Sequence, residues 1–170
     1  DPFASLNPRI KVGDIIAQGP LIQGMNKFEA ESVAKELISV VGLDEKAYER
    51  FPHEFSGGQR QRIGIARSLA VKPEILIADE PVSALDVSIQ AQILELLDQI
   101  RDQMNLAMIF ITHDLRVAAQ VCDRVAVMQQ GEVVETGITS ELFSSPKHDY
   151  TQALLSAVPG KTWQEGIVAN

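Results

Sequence analysis

The sequence contains almost no cysteine, since Cys122 is the only one among its 170 residues. A single thiol excludes a disulfide within the chain and fits a reducing compartment. The chain also has no apolar run of membrane-spanning length and no recognisable signal peptide. We therefore expect no direct membrane insertion, and any membrane association should come through a protein partner.

Basic charge is scarce as well. The chain has 15 basic and 23 acidic residues, which gives a formal net charge of -8. Such a chain offers no basic surface to a nucleic-acid backbone and is poorly suited to anionic lipid. The charge balance excludes nucleic acid as an expected partner, and the length suits a single domain with a sizeable core.

The phosphate-loop pattern G-x-x-x-x-G-K-[ST] is also missing. The nearest stretch is residues 160–162, which read Gly-Lys-Thr. Leu155 occupies the position of the first glycine, Pro159 precedes Gly160, and no strand leads into the stretch. We therefore expect residues 159–170 to form a tail and not a phosphate site.

The most informative stretch runs from Phe55 to Asp86 and begins with a glycine turn. Ser56 is a favoured N-cap residue type, and the two glycines after it let the backbone approach an anion closely. The first amides of a helix have no partner within it and carry partial positive charge. The apolar residues that follow recur on one helix face, namely Ile63, Ala66, Leu69 and Ala70. A capped helix without a ligand is the commoner meaning of Ser-Gly-Gly alone.

A continuous apolar run at residues 75–78 follows and ends in two acids, Asp79 and Glu80. Such a run predicts a parallel strand that is covered on both faces. Ligands in open α/β sheets bind at the carboxyl ends of strands. There, Asp79 is suited to a hydrated Mg²⁺, and Glu80 is suited to orient or deprotonate a water. The alternative is a pair of solvated acids at a strand end.

A second strand is predicted for residues 107–112, after a long amphipathic helix that starts at Asp86-Val87-Ser88 and ends near Met104. His113 follows this strand, and it should reach the same sheet edge as the two acids. A histidine there can donate to a phosphate oxygen, although a structural loop histidine is the usual case. We assign the apolar face of the long helix to the core: Ile89, Ile93, Leu96, Leu97 and Ile100.

The remaining elements are predicted from periodicity and turn residues. Residues 1 to about 24 read as irregular because Gly13, Gly19-Pro20 and Gly24 interrupt them. A helix should follow and end at Gly42, with the apolar face Phe28, Val33, Leu37, Ile38 and Val41. A short helix at residues 45–50, a hairpin turning at Gln130-Gly131, and closing helices at residues 139–143 and 149–157 complete the chain. Thr139 or Ser140 is the expected cap of the first closing helix.

Together these motifs resemble the ATP-binding cassette (ABC) ATPases of transporters. Residues 56–59 match the signature loop, residues 75–79 the Walker B strand, Glu80 the catalytic glutamate, residues 83–86 the D-loop, and residues 112–114 the switch histidine. Each motif alone is weak, but all five occur in the order and spacing of the family. The flanks at residues 1–8 and 51–55 look more narrowly like the oligopeptide and dipeptide importers.

The resemblance implies an α/β fold with a P-loop NTPase-like parallel-sheet core, here partial, and an inserted helical subdomain. Residues 1–54 would form the helical subdomain with the segment after the Q-loop, and residues 55–158 the C-terminal part of the ATPase core. In the family the phosphate loop lies upstream, so the chain looks like the back portion of a nucleotide-binding domain. The strand that leads into the phosphate loop would then be missing from the sheet, which would leave unpaired edges and apolar faces. We therefore expect a rearranged sheet or self-association.

The resemblance further implies ATP hydrolysis, with ATP and Mg²⁺ as cofactors. Glu80 and His113 would be catalytic and Asp79 would hold the metal, while Ser56, Gly57, Gly58, Gln59 and Asp86 would contact nucleotide. The partners would be a second nucleotide-binding domain and transmembrane permease subunits. The site of action would be the cytoplasmic face of the bacterial inner membrane, and a short peptide the solute. We expect the chain alone to be inactive, because the lysine and amides of the phosphate loop are missing.

Two other functions are open at this stage. The chain could be a non-catalytic interaction module that supplies signature residues, or a docking surface, to an intact ATPase. An ABC-type ATPase of DNA repair or chromosome maintenance is disfavoured, because residues 1–54 are short, are broken by glycine and proline, and belong to an acidic chain.

Overall fold

The computed structural model describes residues 5–158, which form two compact units that meet between Ile111 and Thr112 in the chain. The first unit contains α1 (Val12–Ile22), α2 (Lys27–Val40), short 3-10 helices at Glu45–Glu49 and Pro52–Glu54, α3 (Gly57–Leu69), β1 (Ile75–Asp79), α4 (Val87–Met104) and β2 (Ala107–Ile111). The second contains α5 (Leu115–Val121), β3 (Arg124–Gln129), β4 (Glu132–Ile138), α6 (Thr139–Ser144) and α7 (Asp149–Ser156).

The functional division predicted after residue 54 stays a prediction. The predicted tail at residues 159–170, the Gly160-Lys161-Thr162 stretch within it, and residues 1–4 lie outside the described residues.

The segment predicted to be irregular is instead helical, since α1 spans Val12–Ile22. Its glycines are packing positions and not turns. A Cβ at residue 13 would lie 2.4 Å from the Tyr48 ring, and a Cβ at residue 19 would lie 2.6 Å from Val71. Only the third glycine ends the helix, where Gly24 adopts a φ of +92°. The prediction for residues 12–22 was wrong because close helix contacts and turns both select glycine.

Helix α2 ends where the sequence predicts, because Gly42 adopts a φ of +72°. The amides of Gly42 and Leu43 donate to the carbonyls of Ser39 and Ile38 at 2.9 and 3.0 Å, which closes the helix in a Schellman motif. The predicted apolar face is correct for Leu37, Ile38 and Val41, which are buried. It is wrong for Phe28, which is 82% exposed in the first turn of the helix.

Strands β1 and β2 pair in parallel, with Ile75 opposite Ala107 and Asp79 opposite Ile111. This confirms the predicted parallel pairing in an α/β fold. Burial on both faces is not confirmed, because residues alternate between exposed and buried along β1. The buried face of β1 carries Leu76 and Ala78, whereas Ile77 on the other face is 62% exposed. Among the described residues, no third strand joins this pair.

The second unit is built on the predicted hairpin of β3 and β4, which pair antiparallel around Gln130 and Gly131. Its core joins the hairpin to the helices, through Ala118, Val127, Leu142, Phe143 and Leu155. The capping prediction for α6 is wrong. Ile138 holds the N-cap position, while Thr139 lies inside the helix and donates its hydroxyl hydrogen to the Cys122 carbonyl. Burial of Thr139 requires that partner.

The first unit has its own apolar core, formed where α1, α2, α3 and α4 pack together. Ile16, Ile38, Ile63, Leu69, Ile93 and Ile100 are its largest fully buried aliphatic side chains. Among residues 5–158, no helix combines the length and apolarity that crossing a membrane requires.

Candidate nucleotide site

The turn before α3 is a capping box. The Ser56 hydroxyl accepts a hydrogen bond from the Gln59 amide at 3.4 Å, and Gln59 Oε1 accepts one from the Ser56 amide at 3.0 Å. Ser56 and Gln59 are exposed, and the two glycines between them are half-buried. The first amides of α3 therefore lie at an accessible helix end, where a backbone donates to anions most readily.

Arginines hold the segment that leads into this turn, and sequence reasoning missed them. Arg60 donates to the carbonyls of Phe55 and His53, at 3.0 and 3.4 Å. The Arg50 guanidinium lies over the Phe55 ring, 4.4 Å from its centroid. The one signal in the sequence is the position of Arg60, one helical turn after Ser56, because a long side chain there points back toward the loop before the helix. These contacts fix the entry of the chain into α3.

Glu54 adds a charged contact to the same segment. The Phe51 amide donates to its carboxylate at 2.6 Å, and Arg50 Nε donates at 3.3 Å. The hydrogen bond from Phe51, followed by that from Arg50, holds the pKa of Glu54 below its usual value of 4.5. The carboxylate is therefore charged at neutral pH and closes the 3-10 turn at residues 52–54.

The two acids follow β1 directly. Asp79 is the last residue of the strand and is exposed. Glu80 is half-buried and adopts a left-handed backbone with a φ of +47°. Its amide donates to the Ile111 carbonyl at 2.9 Å, and its carbonyl accepts from the Ser83 hydroxyl at 3.1 Å. A left-handed glutamate is uncommon, so the end of the neighbouring strand and the turn at Ser83 jointly determine the backbone at this position.

Asp86 occupies the N-cap position of α4 and is exposed. Its side chain does not cap the helix, because the carboxylate accepts no capping hydrogen bond. The turn at residues 83–86 is held through backbone contacts, such as the Leu85 amide donating to the Val82 carbonyl at 3.2 Å. The Asp86 carboxylate is therefore presented to solvent beside the start of α4.

His113 lies in the second unit, in an exposed position two residues beyond the end of β2. Thr112 and Asp114 on either side form a tight turn. The Asp114 amide donates to the Thr112 hydroxyl at 3.0 Å, and the Asp114 carboxylate caps α5 by accepting from the Arg116 amide at 2.8 Å. The other predicted site residues, Ser56 through Gln59, Asp79, Glu80 and Asp86, all belong to the first unit.

Among the described residues, the carboxylate that the sequence assigns to Mg²⁺, that of Asp79, is not part of a metal-binding cluster. Within residues 5–158, no three His, Cys, Asp or Glu side chains come together as a group that could bind a metal. Mg²⁺ commonly keeps several waters and binds through one or two carboxylates plus phosphate oxygens. A single exposed carboxylate at Asp79 meets that requirement.

Known proteins with similar sequences are ATP-binding proteins of transporters. The family described as ABC transporter matches residues 2–83. The oligopeptide transport ATP-binding protein OppF of Bacillus subtilis is 52% identical over 161 residues, which cover 94% of this chain and 53% of that protein. The dipeptide transport ATP-binding protein DppF of Lactococcus lactis is 51% identical and covers 94% of this chain and 52% of its own length.

A solved structure also resembles this chain. It is the dimeric post-hydrolysis state of an ATP-binding cassette bound to ADP and Pi, with a TM-score of 0.67 and 31% identity over 79% of this chain and 59% of that one. This chain spans about half the length of the curated relatives that it matches. By these comparisons the chain is similar to the ABC transporter family of ATP-binding proteins and, among its members, to those of oligopeptide and dipeptide transport.

Proposed function

We propose that this chain forms part of the ATP-hydrolysing site of an ABC importer that transports short peptides. The chief support is that one compact unit carries both the accessible start of α3 at Gly57 and strand β1, which ends at Asp79 and is followed directly by Glu80. A helix N-terminus suits a phosphate, and acids at strand ends suit a metal and a water. The peptide rests on the names of the relatives alone.

The phosphate contacts are assigned to Ser56, Gly57 and Gly58. The Ser56 hydroxyl accepts from the Gln59 amide, so its own hydrogen is available to a phosphate oxygen. The amides of the two glycines are the first of α3 and have no acceptor within the helix. Gln59 holds the turn in this geometry through its bond to the Ser56 amide.

The chemistry at the phosphate is assigned to Asp79, Glu80 and His113. Asp79 would hold Mg²⁺, which neutralises charge on the phosphates when it is bound. Glu80 would orient or deprotonate the attacking water, and His113 would donate to an oxygen of the terminal phosphate. Asp79 and His113 are exposed, as groups that meet a substrate must be.

The active form is assigned as a dimer of nucleotide-binding domains on permease subunits, at the cytoplasmic face of a bacterial inner membrane. The dimeric relative supports the dimer, and the transport names of the relatives support the permease partners. Asp86 is assigned to the dimer partner because its carboxylate does not cap α4. Nucleotide between the two domains would close them, and hydrolysis would let them open.

Titration with MgATP tests whether this chain needs a phosphate loop from elsewhere to bind nucleotide tightly. We expect the chain alone to bind MgATP far more weakly than micromolar, because the loop lysine and amides are missing from its sequence. Adding a family subunit that has a phosphate loop should give ATP-dependent association in sedimentation velocity. Ser56→Arg should weaken that association by at least about tenfold, because it blocks the phosphate end of α3. Micromolar MgATP binding by the chain alone would contradict the proposal.

Turnover tests the assignment of Glu80. In a protein where a phosphate-loop segment precedes this chain, Glu80→Gln should keep ATP binding, stabilise the closed dimer and lower kcat by about a hundredfold or more. Steady-state ATPase rates and sedimentation velocity on the same samples measure the two effects. A normal kcat for Glu80→Gln would remove Glu80 from the catalytic assignment.

A second candidate function is a non-catalytic module that supplies the signature turn, which is the signature loop at residues 56–59, or a docking surface, to an intact ATPase. The exposed capping-box turn at Ser56 favours it, because the hydrogen bonds that hold this turn do not involve Glu80. The two candidates differ in the mixing experiment, since the module requires Ser56 but not Glu80. ATP-dependent association that is unaffected by Glu80→Gln, with no turnover attributable to this chain, would select the module.

A further inference from the structure

The second glycine of the signature turn is also a packing position. A Cβ added at Gly58 would lie 2.5 Å from Ile89 Cγ2 and 3.8 Å from Ile89 Cβ. Carbon atoms do not approach to 2.5 Å without a shift of one partner. Residue 58 therefore has to be glycine for a reason that is independent of any ligand, because the third residue of α4 fills the space above it.

Ile89 has little freedom to give way. It is half-buried in the first turn of α4, and the methyl that contacts Gly58 is bonded directly to its Cβ. A β-branched residue in a helix has essentially one χ1 rotamer, so this methyl cannot rotate away at low cost. Gly64, further along α3, makes a useful contrast, since a Cβ there meets nothing within 4 Å.

The contact joins the start of α3 to the start of α4, and in the proposed function both face the same dimer partner. Gly58 belongs to the turn that begins α3, and Ile89 follows the Asp86 turn that begins α4. We propose that Ile89 is a positioning residue, whose Cγ2 methyl seats the start of α3 against the start of α4, so that the signature turn and Asp86 close on the partner as one rigid body. This inference rests on the proposed function for its consequence but not for its geometry.

The geometry is tested first, by urea unfolding of this chain without nucleotide. Gly58→Ala should lower the unfolding midpoint in the wild-type background. In an Ile89→Ala background the same substitution should leave the midpoint unchanged or raise it, because the obstructing methyl is gone. Gly64→Ala serves as the matched control and should raise the midpoint equally in both backgrounds, since alanine favours a helix interior. An equal loss from Gly58→Ala in both backgrounds would refute the contact.

The consequence is tested with a pair of variants that differ in the contacting methyl. Ile89→Val keeps Cγ2, whereas Ile89→Leu removes it at nearly the same volume. In a protein that joins a phosphate-loop segment to this chain, Ile89→Val should retain kcat. Ile89→Leu should lower kcat by up to about a hundredfold, with the KM for ATP within about twofold, because the displaced turn acts after nucleotide has bound. Equal kcat values for Val and Leu would overturn the positioning role.

These outcomes separate the inference from the proposed function. If the unmodified protein shows neither ATP turnover nor ATP-dependent association, the proposed function fails, and the unfolding cycle still decides whether the contact exists. If turnover is normal and the unfolding cycle shows coupling, but Val and Leu behave alike, the proposed function stands and the role of Ile89 is refuted.

Discussion

At the scale of single residues, Ser56 caps a helix in the structure and, in the proposed function, contacts a phosphate with the same hydroxyl. Ser56 caps α3 through its oxygen and keeps a hydrogen to donate. The sequence was sufficient to predict Ser56 as the cap, because Ser at the start of an apolar helical periodicity is a local signal. It could not predict Arg60 or Ile89 as supports, because their contacts depend on how a side chain reaches back or how two helices pack.

Stability against acid tests the Glu54 contact at this scale. The hydrogen bond from the Phe51 amide lowers the pKa of Glu54 from 4.5. A depressed pKa stabilises the fold above the unfolded-state pKa, and that contribution is lost as the pH falls through the folded-state value. We expect wild type to exceed Glu54→Gln in urea-unfolding free energy by a constant amount from about pH 7 to about pH 5. The two should converge as the pH falls below 4.5.

Glu54→Ala is the matched control for that series. Glutamine can still accept the Phe51 amide, as a protonated glutamate can, whereas alanine cannot. Wild type should therefore converge on Glu54→Gln at low pH and stay more stable than Glu54→Ala. A difference between wild type and Glu54→Gln that does not change with pH would show that the carboxylate charge contributes nothing through this bond.

At the scale of elements, the sequence correctly predicted those helices and strands that a clear apolar periodicity or a turn signal marks. Helix α4 and the β3–β4 hairpin occur where expected, since each has a long apolar pattern or a turn pair at its end. Helix α1 was missed because Gly13 and Gly19 look like breakers until Tyr48 and Val71 are placed beside them. The burial of β1 was overestimated. An apolar run indicates that a strand can be covered on both faces, but it does not indicate whether another element covers each face.

The hairpin between β3 and β4 offers a test at the scale of one element. Its two-residue turn has positive φ at both positions, 51° at Gln130 and 86° at Gly131, which is the geometry that favours Asn-Gly. Gln130→Asn should raise the unfolding free energy by about 0.5 kcal/mol, because asparagine enters the left-handed region more readily. Urea unfolding followed by circular dichroism measures the change.

The neighbouring position supplies the control for the hairpin. Gln129→Asn places the same residue type at the last position of β3, where asparagine is disfavoured in a strand. We expect this variant to be no more stable than wild type. A gain of similar size from both substitutions would mean that the turn conformation at Gln130 is not the cause.

At the scale of the whole molecule, the exposed face of the β1–β2 pair stands out. Ile75, Ile77, Ile109 and Ile111 lie on one side of the two strands, and all four are substantially exposed. Contiguous apolar surface of this kind favours association, and each strand of a two-stranded sheet has an unpaired edge. The self-association expected from the sequence therefore stays a prediction with a defined surface.

Sedimentation velocity over a range of concentrations tests that surface. We expect the sedimentation coefficient of this chain to rise with concentration, and Ile77→Thr combined with Ile109→Thr to reduce the rise, because threonine keeps the β-branched shape but adds a hydroxyl. Phe28→Thr is the control, since Phe28 is 82% exposed on α2 and lies outside the sheet. A monodisperse monomer with a cooperative melting transition would argue against association through this face.

The left-handed backbone at Glu80 restricts which replacements can probe chemistry at that position. Valine, isoleucine and threonine would strain a residue held at a φ of +47°, whereas glycine would relax it and soften the turn. A saturation library at residue 80 would thus be sorted by folding yield before it is sorted by turnover. Inactive members with branched side chains would say nothing about proton transfer, and glutamine is the replacement whose shape leaves the carboxylate charge as the only variable.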